Sequence, residues 1–309
     1  MISILLASYN GEKFIAEQLD SIISQTVKDV KVYICDDCST DNTFSIAQHY
    51  ASQYPDKIFI SQNEKNLGGA KHNFIEMMIN IKDDYVMLCD QDDVWLPDKI
   101  EITLAEMIKL EAEFGFHAPL LVHTDLRVVG EDLATVISPS FKEAMNANYN
   151  RTKLRDQLIQ NTLTGCTVMY NRSLANLIDN KPEFMVMHDW WLMLVAVAFG
   201  KIGHVDKPTV LYRQHGSNEI GAKDVRKFSY KINRLLNRDK IKEAINNTYP
   251  QAESLLNAYD GLLSEEQKSL VRQYCSIPQM GKIDRWRTVC KLGTFKNGLS
   301  RNVAYFMFI

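Results

Sequence analysis

No apolar run in this 309-residue chain approaches the roughly 20 residues that a helix needs to cross a bilayer. An excess of positive charge is missing too: the formal net charge is -3, which gives no ground for bulk nucleic-acid binding. The first residues, Met1-Ile-Ser-Ile-Leu-Leu6, carry no basic leader and run straight into a strand pattern, so no secretion signal is expected. Internal repeats and low-complexity segments are absent. Six cysteines, at 35, 38, 89, 166, 275 and 290, lack the spacing of a disulfide framework and read as reduced, packed thiols of a cytoplasmic protein. Cys35-Asp-Asp-Cys38 spells CxxC, but an acidic pair between the thiols disfavours the thiolate that redox chemistry needs. A second ligand pair at zinc spacing does not accompany it.

What the chain does have is an ordinary globular composition, 46% apolar and 24% charged, and a strand-helix alternation over its first hundred residues. Ile2–Ala7, Val30–Cys35, Lys57–Ser61 and Tyr85–Cys89 read as strands. Between them, helix stripes run through Phe14, Ile15, Leu19, Ile22 and Ile23, then through Thr43–Tyr54, with Ser39 or Asp41 as its cap, and then through Phe74, Met77, Met78 and Ile81. Pro97 suits the start of a fourth helix, where Asp98 reads as a turn or capping residue. Four such units imply a mostly parallel, doubly wound sheet, whose ligands bind outside the carboxyl ends of the strands.

Those ends are acidic. Asp36-Asp37 follows the second strand, and Asp90, Asp92 and Asp93 crowd three carboxylates into four residues after the fourth. Carboxylates repel one another and are costly to desolvate, so a cluster at a buried strand's end calls for compensation. A hard divalent cation, Mg2+ or Mn2+, sharing the site with phosphate oxygens would supply it. Other polar residues reach the same rim: Ser8-Tyr9-Asn10-Gly11 after the first strand, and Asn66-Leu-Gly-Gly-Ala-Lys71 after the third. Backbone N–H groups and Lys71 of the latter suit phosphate, while Asn63 and Asn66 read as turn formers.

SYNG at 8–11, DDCSTDNT at 36–43, NLGGAKHNF at 66–74 and DQDDVW at 90–95, in that order, resemble the family 2 glycosyltransferases of GT-A fold. The form DQDDVWLP is similar to bacterial rhamnosyltransferase-like members that build O-antigen, capsule or cell-wall polysaccharide. The resemblance covers roughly residues 1–220. It implies a Rossmann-like, mostly parallel sheet flanked by helices. A GT-A domain over 1–220 would divide into a nucleotide-sugar-binding half, 1–100, and an acceptor-side half, 101–220, before a C-terminal helical extension, 221–309.

By the same resemblance, Ala7, Tyr9, Asp37, Lys71, Asp90, Gln91 and Asp93 would bind the nucleotide-sugar. Asp37 would accept from the pyrimidine N3–H, and Asp93 would orient the donor sugar. Asp90-Gln-Asp92 matches the DxD motif, so Asp92 and Asp90 would hold the metal. His215, in Tyr212-Arg-Gln-His215, would complete that shell or meet the diphosphate, with Arg213 as a phosphate partner. In His188-Asp-Trp-Trp191, Asp189 matches the general base, and Trp190 and Trp191 suit an acceptor platform; capping the following helix is compatible with the base role. Trp95 fits a core position as well as a sugar face. The implied enzyme is an inverting, metal-dependent transferase with a dTDP- or UDP-linked donor and a glycan or lipid-linked acceptor. It would be cytoplasmic, at the inner face of the cell membrane.

Two other classes stay open on the residues alone. A non-catalytic nucleotide-sugar-binding subunit would lack either the DxD-type motif or the base. A nucleotidyltransferase would share the acidic site, but the basic, Gly-rich loop such enzymes place after the first strand is missing. Farther along, Leu120–Thr124 and Gly165–Tyr170 read as strands, Trp190–Phe199 as an apolar helix, and Val205 and Val210–Tyr212 as one more short strand. From about Lys223 the pattern is amphipathic helix, with Ser264-Glu-Glu-Gln267 in capping-box form. The basic and aromatic stretch Arg285–Ile309 reads as a helical cap, a partner helix or a membrane-surface anchor.

Overall fold

The computed structural model describes residues 1–216 and 238–309. These divide into two compact units: residues 1–141, 163–181 and 200–216 form the first, and residues 142–162, 182–199 and 238–309 the second. The break expected after residue 220 lies outside the described residues.

Among the described residues nine strands form one sheet, and all of them belong to the first unit. They are β1 (Ile2–Ser8), β2 (Val30–Asp36), β3 (Ile58–Gln62), β4 (Tyr85–Asp90), β5 (Val94–Trp95), β6 (Leu120–Gly130), β7 (Val136–Ser138), β8 (Val168–Asn171) and β9 (Lys201–Gln214). Their order is β3-β2-β1-β4-β8-β6-β9-β5, with β7 beside β6. The first four are parallel, as the alternation predicts; β8 then runs antiparallel to both β4 and β6, while β6 and β9 are parallel. β1 is buried along its whole length, which explains its near-continuous apolar run. Helices α1 (Ile15–Ile23), α2 (Thr43–Gln53), α3 (Ala70–Asn80) and α4 (Lys99–Phe114) alternate with these strands. α3 packs on β1, and α4 on β6 and β9.

Three local readings change. The strands run one residue farther than the apolar pattern, so Ser8, Asp36 and Asp90 close β1, β2 and β4. β6 extends to Gly130, and β9 is one strand of 14 residues, because each is the other's partner from Leu120–Lys201 to Gly130–Gln214. That pairing holds polar residues such as His123 and Arg127 in the ladder, which local propensity does not foresee. The ladder slips where Asp125 meets Pro208, a residue with no N–H to donate. Finally, Asn42 rather than Ser39 or Asp41 occupies the N-cap position of α2, although the Thr43 N–H does donate to Asp41 at 2.9 Å. Asp98 takes the N-cap position of α4 without a cap bond; its carboxylate meets Lys207 Nζ at 2.6 Å.

The second unit is helical. Helices Arg238–Asn246, Thr248–Tyr259, Glu265–Cys275, Lys282–Leu292 and Leu299–Phe308 join the earlier helix His188–Phe199. Segments 182–199 and 142–162 belong here because their backbone groups find partners on the later helices. Phe184 N donates to Ser254 Oγ at 2.9 Å, Val186 N to Gln251 Oε1 at 2.8 Å, and Gln267 Nε2 to the Ala198 carbonyl at 2.6 Å. Ser264 forms the expected capping box with Gln267.

His188 opens its helix fully inside this unit, and burial pushes its imidazole down to about 3. The unfolded chain therefore takes up a proton below pH ~6.5 that the folded chain refuses, so this group's effect is a loss of stability as pH falls from there toward 3. Between pH 6.5 and 5 the loss should be about 1.5 kcal/mol. Urea titrations of wild type and His188→Gln across that interval should show a flatter pH dependence in the variant; identical slopes would contradict the buried neutral imidazole.

Candidate active site

The sheet order reverses direction between β1 and β4, and the register sets Ala7 opposite both Cys35 and Asp90. The acidic ends of β2 and β4 thus flank the end of β1, the crevice where such sheets bind ligands. Gln91 ties the edges together: its Nε2 donates to the Tyr9 carbonyl at 2.8 Å and its Oε1 accepts from Tyr9 N at 2.9 Å. A Cβ on Gly11 would lie 2.2 Å from that Oε1, so a larger residue there would push the Gln91 amide off these two bonds. With its backbone so held, the Tyr9 ring stays 47% exposed.

At the end of β2 the two aspartates differ. Asp36 is buried and accepts from Ser8 Oγ at 3.2 Å, Ser39 N at 2.9 Å and Gln62 Nε2 at 2.9 Å, which makes it a brace for the turn. Asp37 Oδ1 accepts from Asn63 Nδ2 and Leu67 N, both at 2.8 Å, while Oδ2 has one longer contact, 3.1 Å from Leu67 N. Asn66 Nδ2 donates to the Asp37 carbonyl and Asn73 Nδ2 to that of Cys35. Asn63 and Asn66, read from sequence as turn formers, are therefore the partners that hold Asp37, with Asn73 beneath. Three asparagines around a glycine pair were the available signal. Lys71 lies half-buried in the first turn of α3, beyond Gly68 and Gly69, whose φ values of 83° and 136° admit only glycine comfortably. Cys35 and Cys38 are free thiols raised by burial first and by the two aspartates after it, as expected for packed cysteines.

The three carboxylates after β4 are sorted by burial. β5 pairs with β9, Val94 against Leu211 and Trp95 against Val210, and so brings residues 92–93 to 213–215. Asp93 turns inward, accepting from Arg213 N at 3.1 Å and from the Cys166 thiol; burial, then Asp92 and Asp90, push its carboxyl well above the ordinary range. Lys99 is buried nearby with its Nζ 4.7 Å from the Trp95 ring centroid, and burial lowers it to about 8. Asp92 points the other way: its Oδ2 meets His215 Nε2 at 2.8 Å, and the His215 ring packs 4.5 Å from Phe14. A hollow of about 310 Å³, lined by Asn10, Glu12, Lys13, Phe14, Glu131 and His215 among others, opens beside it.

Two expectations change here. Asp93, implied to orient a donor sugar, is a floor residue without solvent access. Arg213, implied to meet phosphate, is a clamp: Nε donates to the Asp92 carbonyl and Nη1 to that of Glu131, both at 2.9 Å, Nη2 pairs with Glu17, and the guanidinium lies 4.7 Å over the Phe14 ring.

Two donor sets could hold a cation. Asp90, Asp93 and Cys166 bring one ligand atom each within 4.8 Å of the others. Asp93 and Cys166 are buried, and burial raises both the carboxyl and the thiol, which disfavours the charged forms a cation needs. Asp92 and His215 offer carboxylate and imidazole donors, with His215 lining open space, and suit Mn2+ or Mg2+ better.

In the second unit Asp189 is the second residue of helix His188–Phe199 and is buried. Trp190 Nε1 donates to the Gln157 carbonyl at 2.7 Å. Trp191 is fully buried with its ring 6.1 Å from Tyr259, so it is a core side chain and not the acceptor platform expected from sequence. The adjacent pair of tryptophans reads alike in sequence; helix geometry turns one inward.

Residues 3–177 match the sequence profile of glycosyl transferase family 2. The chain is 32% identical over 237 residues to dTDP-rhamnosyl transferase RfbG of Shigella flexneri, covering 73% of this chain and 77% of that one. Among solved structures, residues 1–349 of TarS from S. aureus in complex with UDP superpose with a TM-score of 0.59 at 18% identity, covering 92% of this chain and 73% of that one. The mannosyltransferase PcManGT from Pyrobaculum calidifontis, in complex with GDP-Man and Mn2+, gives 0.51 at 16%, covering 94% and 84%. The fold is that of the GT-A glycosyltransferases.

Replacing Arg213 by Gln would remove the donors to two carbonyls. Glu17 is 55% exposed, so its pairing adds little. A loss of roughly 2–3 kcal/mol in chemical denaturation is expected; a change below about 0.5 kcal/mol, the range of an ordinary surface substitution, would contradict the clamp.

Proposed function

The chain belongs to glycosyl transferase family 2 and is a glycosyltransferase, and from that premise we propose that it transfers a sugar from a nucleotide-diphospho-sugar with inversion, using Mn2+ or Mg2+. The observation that carries this reading is the Asp92–His215 pair, 2.8 Å apart at the ends of β4 and β9 beside a polar hollow. Tyr9 offers its open ring to the nucleotide base, and the less engaged Oδ2 of Asp37 accepts from the pyrimidine N3–H. Ala7 and Gln91 shape the floor, Asp90 meets the ribose, and Lys71 faces the diphosphate. A divalent ion held by Asp92, Asp90 and His215 would neutralise charge on the departing nucleotide.

Asp189 is the proposed general base, taking the proton from the acceptor hydroxyl as that oxygen attacks the anomeric carbon. One displacement inverts the centre and needs no covalent sugar–enzyme intermediate, unlike the double displacement of retaining hydrolases. Trp190 remains the proposed acceptor contact. Similarity to a protein named a dTDP-rhamnosyl transferase favours dTDP-rhamnose as donor, ahead of UDP-linked sugars. The acceptor would be a glycan or lipid-linked glycan of bacterial surface polysaccharide. Work on such an acceptor would take place at the inner face of the cell membrane, touched through the C-terminal helices.

Nucleotide release from a panel of dTDP- and UDP-sugars, with and without Mn2+, tests this. One donor should be consumed in a metal-dependent way, and Asp92→Asn should abolish that dependence. Asp189→Asn should lower transfer by about 10²–10⁴-fold while leaving nucleotide affinity nearly intact. Unchanged turnover in that variant would remove Asp189 as base, and no metal-dependent release from any donor would favour a non-catalytic binding subunit.

A further inference from the structure

Helix Leu299–Phe308 carries Leu299, Val303 and Met307 one turn apart on one stripe, and they are 83%, 53% and 52% exposed. The opposite face is tied down: Tyr305 is buried, and Asn302 Nδ2 donates to the carbonyls of Lys296 and Gly298. Water-facing positions of a surface helix ordinarily hold charged or polar residues, so this helix is inverted over its outer stripe. The preceding helix, Lys282–Leu292, repeats the pattern with exposed Ile283 and Trp286. Trp286 Nε1 donates to the Phe306 carbonyl at 2.8 Å and its ring lies 6.1 Å from that of Phe306, which joins the two stripes.

Charge says what this surface meets. Residues 282–309 hold Lys282, Arg285, Arg287, Lys291, Lys296 and Arg301 against Asp284 alone, in a chain of net charge -3. Lys282 Nζ lies 5.6 Å from the Trp286 ring, beside the apolar stripe. Two such faces of a second copy would repel each other. Arg285 and Arg301 are turned to backbone carbonyls, while Lys282, Arg287 and Lys291 are exposed. Exposed apolar and tryptophan residues accompanied by such cations are suited to the headgroup layer of an anionic bilayer. Among the described residues no helix is long and apolar enough to cross a membrane.

We propose that helices Lys282–Leu292 and Leu299–Phe308 form a peripheral docking surface for anionic lipid, seating Leu299, Val303, Met307 and Trp286 in the interface with Lys282, Arg287 and Lys291 on the headgroups. The proposal rests on the membrane location proposed above and specifies its face and lipid charge. Flotation of the full chain with phosphatidylcholine vesicles, with and without phosphatidylglycerol, tests it. Binding should need the anionic lipid and fall with salt. Leu299→Glu with Val303→Glu should lower it by more than about tenfold, as expected from two lost apolar contacts. Arg287→Glu and Lys291→Glu should lower it by roughly fivefold each. All four positions are exposed, so circular dichroism should be unchanged.

Binding to neither vesicle, equal binding to both, or a Leu299→Glu effect on self-association instead of flotation would overturn the surface. Donor turnover measured on the same samples separates the two readings: turnover without flotation sinks only the surface, and flotation without turnover sinks only the proposed donor and metal dependence.

Discussion

Three carboxylates in four residues can coexist at the end of a buried strand only if their surroundings differ. In this protein the difference is imposed by Arg213. Its backbone N–H holds Asp93 inward, its side chain holds the Asp92 carbonyl, and its guanidinium lies over Phe14, the ring against which His215 packs. Asp93, buried beside Cys166 and Lys99, has its carboxyl pushed above the ordinary range by burial first and by Asp92 and Asp90 after it. Asp92 is left paired with His215, which lines the hollow. The antiparallel pairing of two-residue β5 with the end of β9 sets this out, since it carries residues 92–93 toward 213–215.

The β2 end solves the same problem with neutral donors. Asp36 is surrounded by hydroxyl, amide and backbone donors and serves the turn, while Asp37 is held by Asn63 and Leu67 with one oxygen less engaged. At both ends one aspartate is buried in the framework and another keeps a less engaged oxygen or a side-chain partner at the rim. Transferase chemistry suits this division, because a nucleotide diphosphate needs fixed acceptors for its base and anions that stay open to a cation.

Much of this was legible in sequence. Apolar runs ending in Asp36 and Asp90 gave the strands and the rim, and four motifs in register gave the family. What escaped depends on contacts distant in sequence. Asn63 looks like any turn residue until β3 lies beside β2 and carries it to Asp37. Arg213 looks like a phosphate ligand until β9 runs the whole length of β6. Trp190 and Trp191 are neighbours in the chain, and only the packing of Tyr259 turns Trp191 into core. Segments 142–162 and 182–199 likewise show no sign in sequence of grouping with the C-terminal helices, because their partners stand far along the chain: Ser254 and Gln251 lie 65–70 residues from the second segment, and Asn297 and Arg301 lie 137–156 from the first.

The account turns on which carboxylate stays available to a cation. Crystals grown with Mn2+ and a nucleoside diphosphate, measured at the manganese absorption edge, locate the ion directly. An anomalous peak bounded by Asp92 and His215 is the predicted result. A peak enclosed by Asp93 and Cys166 would contradict it, since the buried aspartate would then be the ligand and Arg213 would be clamping the wrong side of the motif.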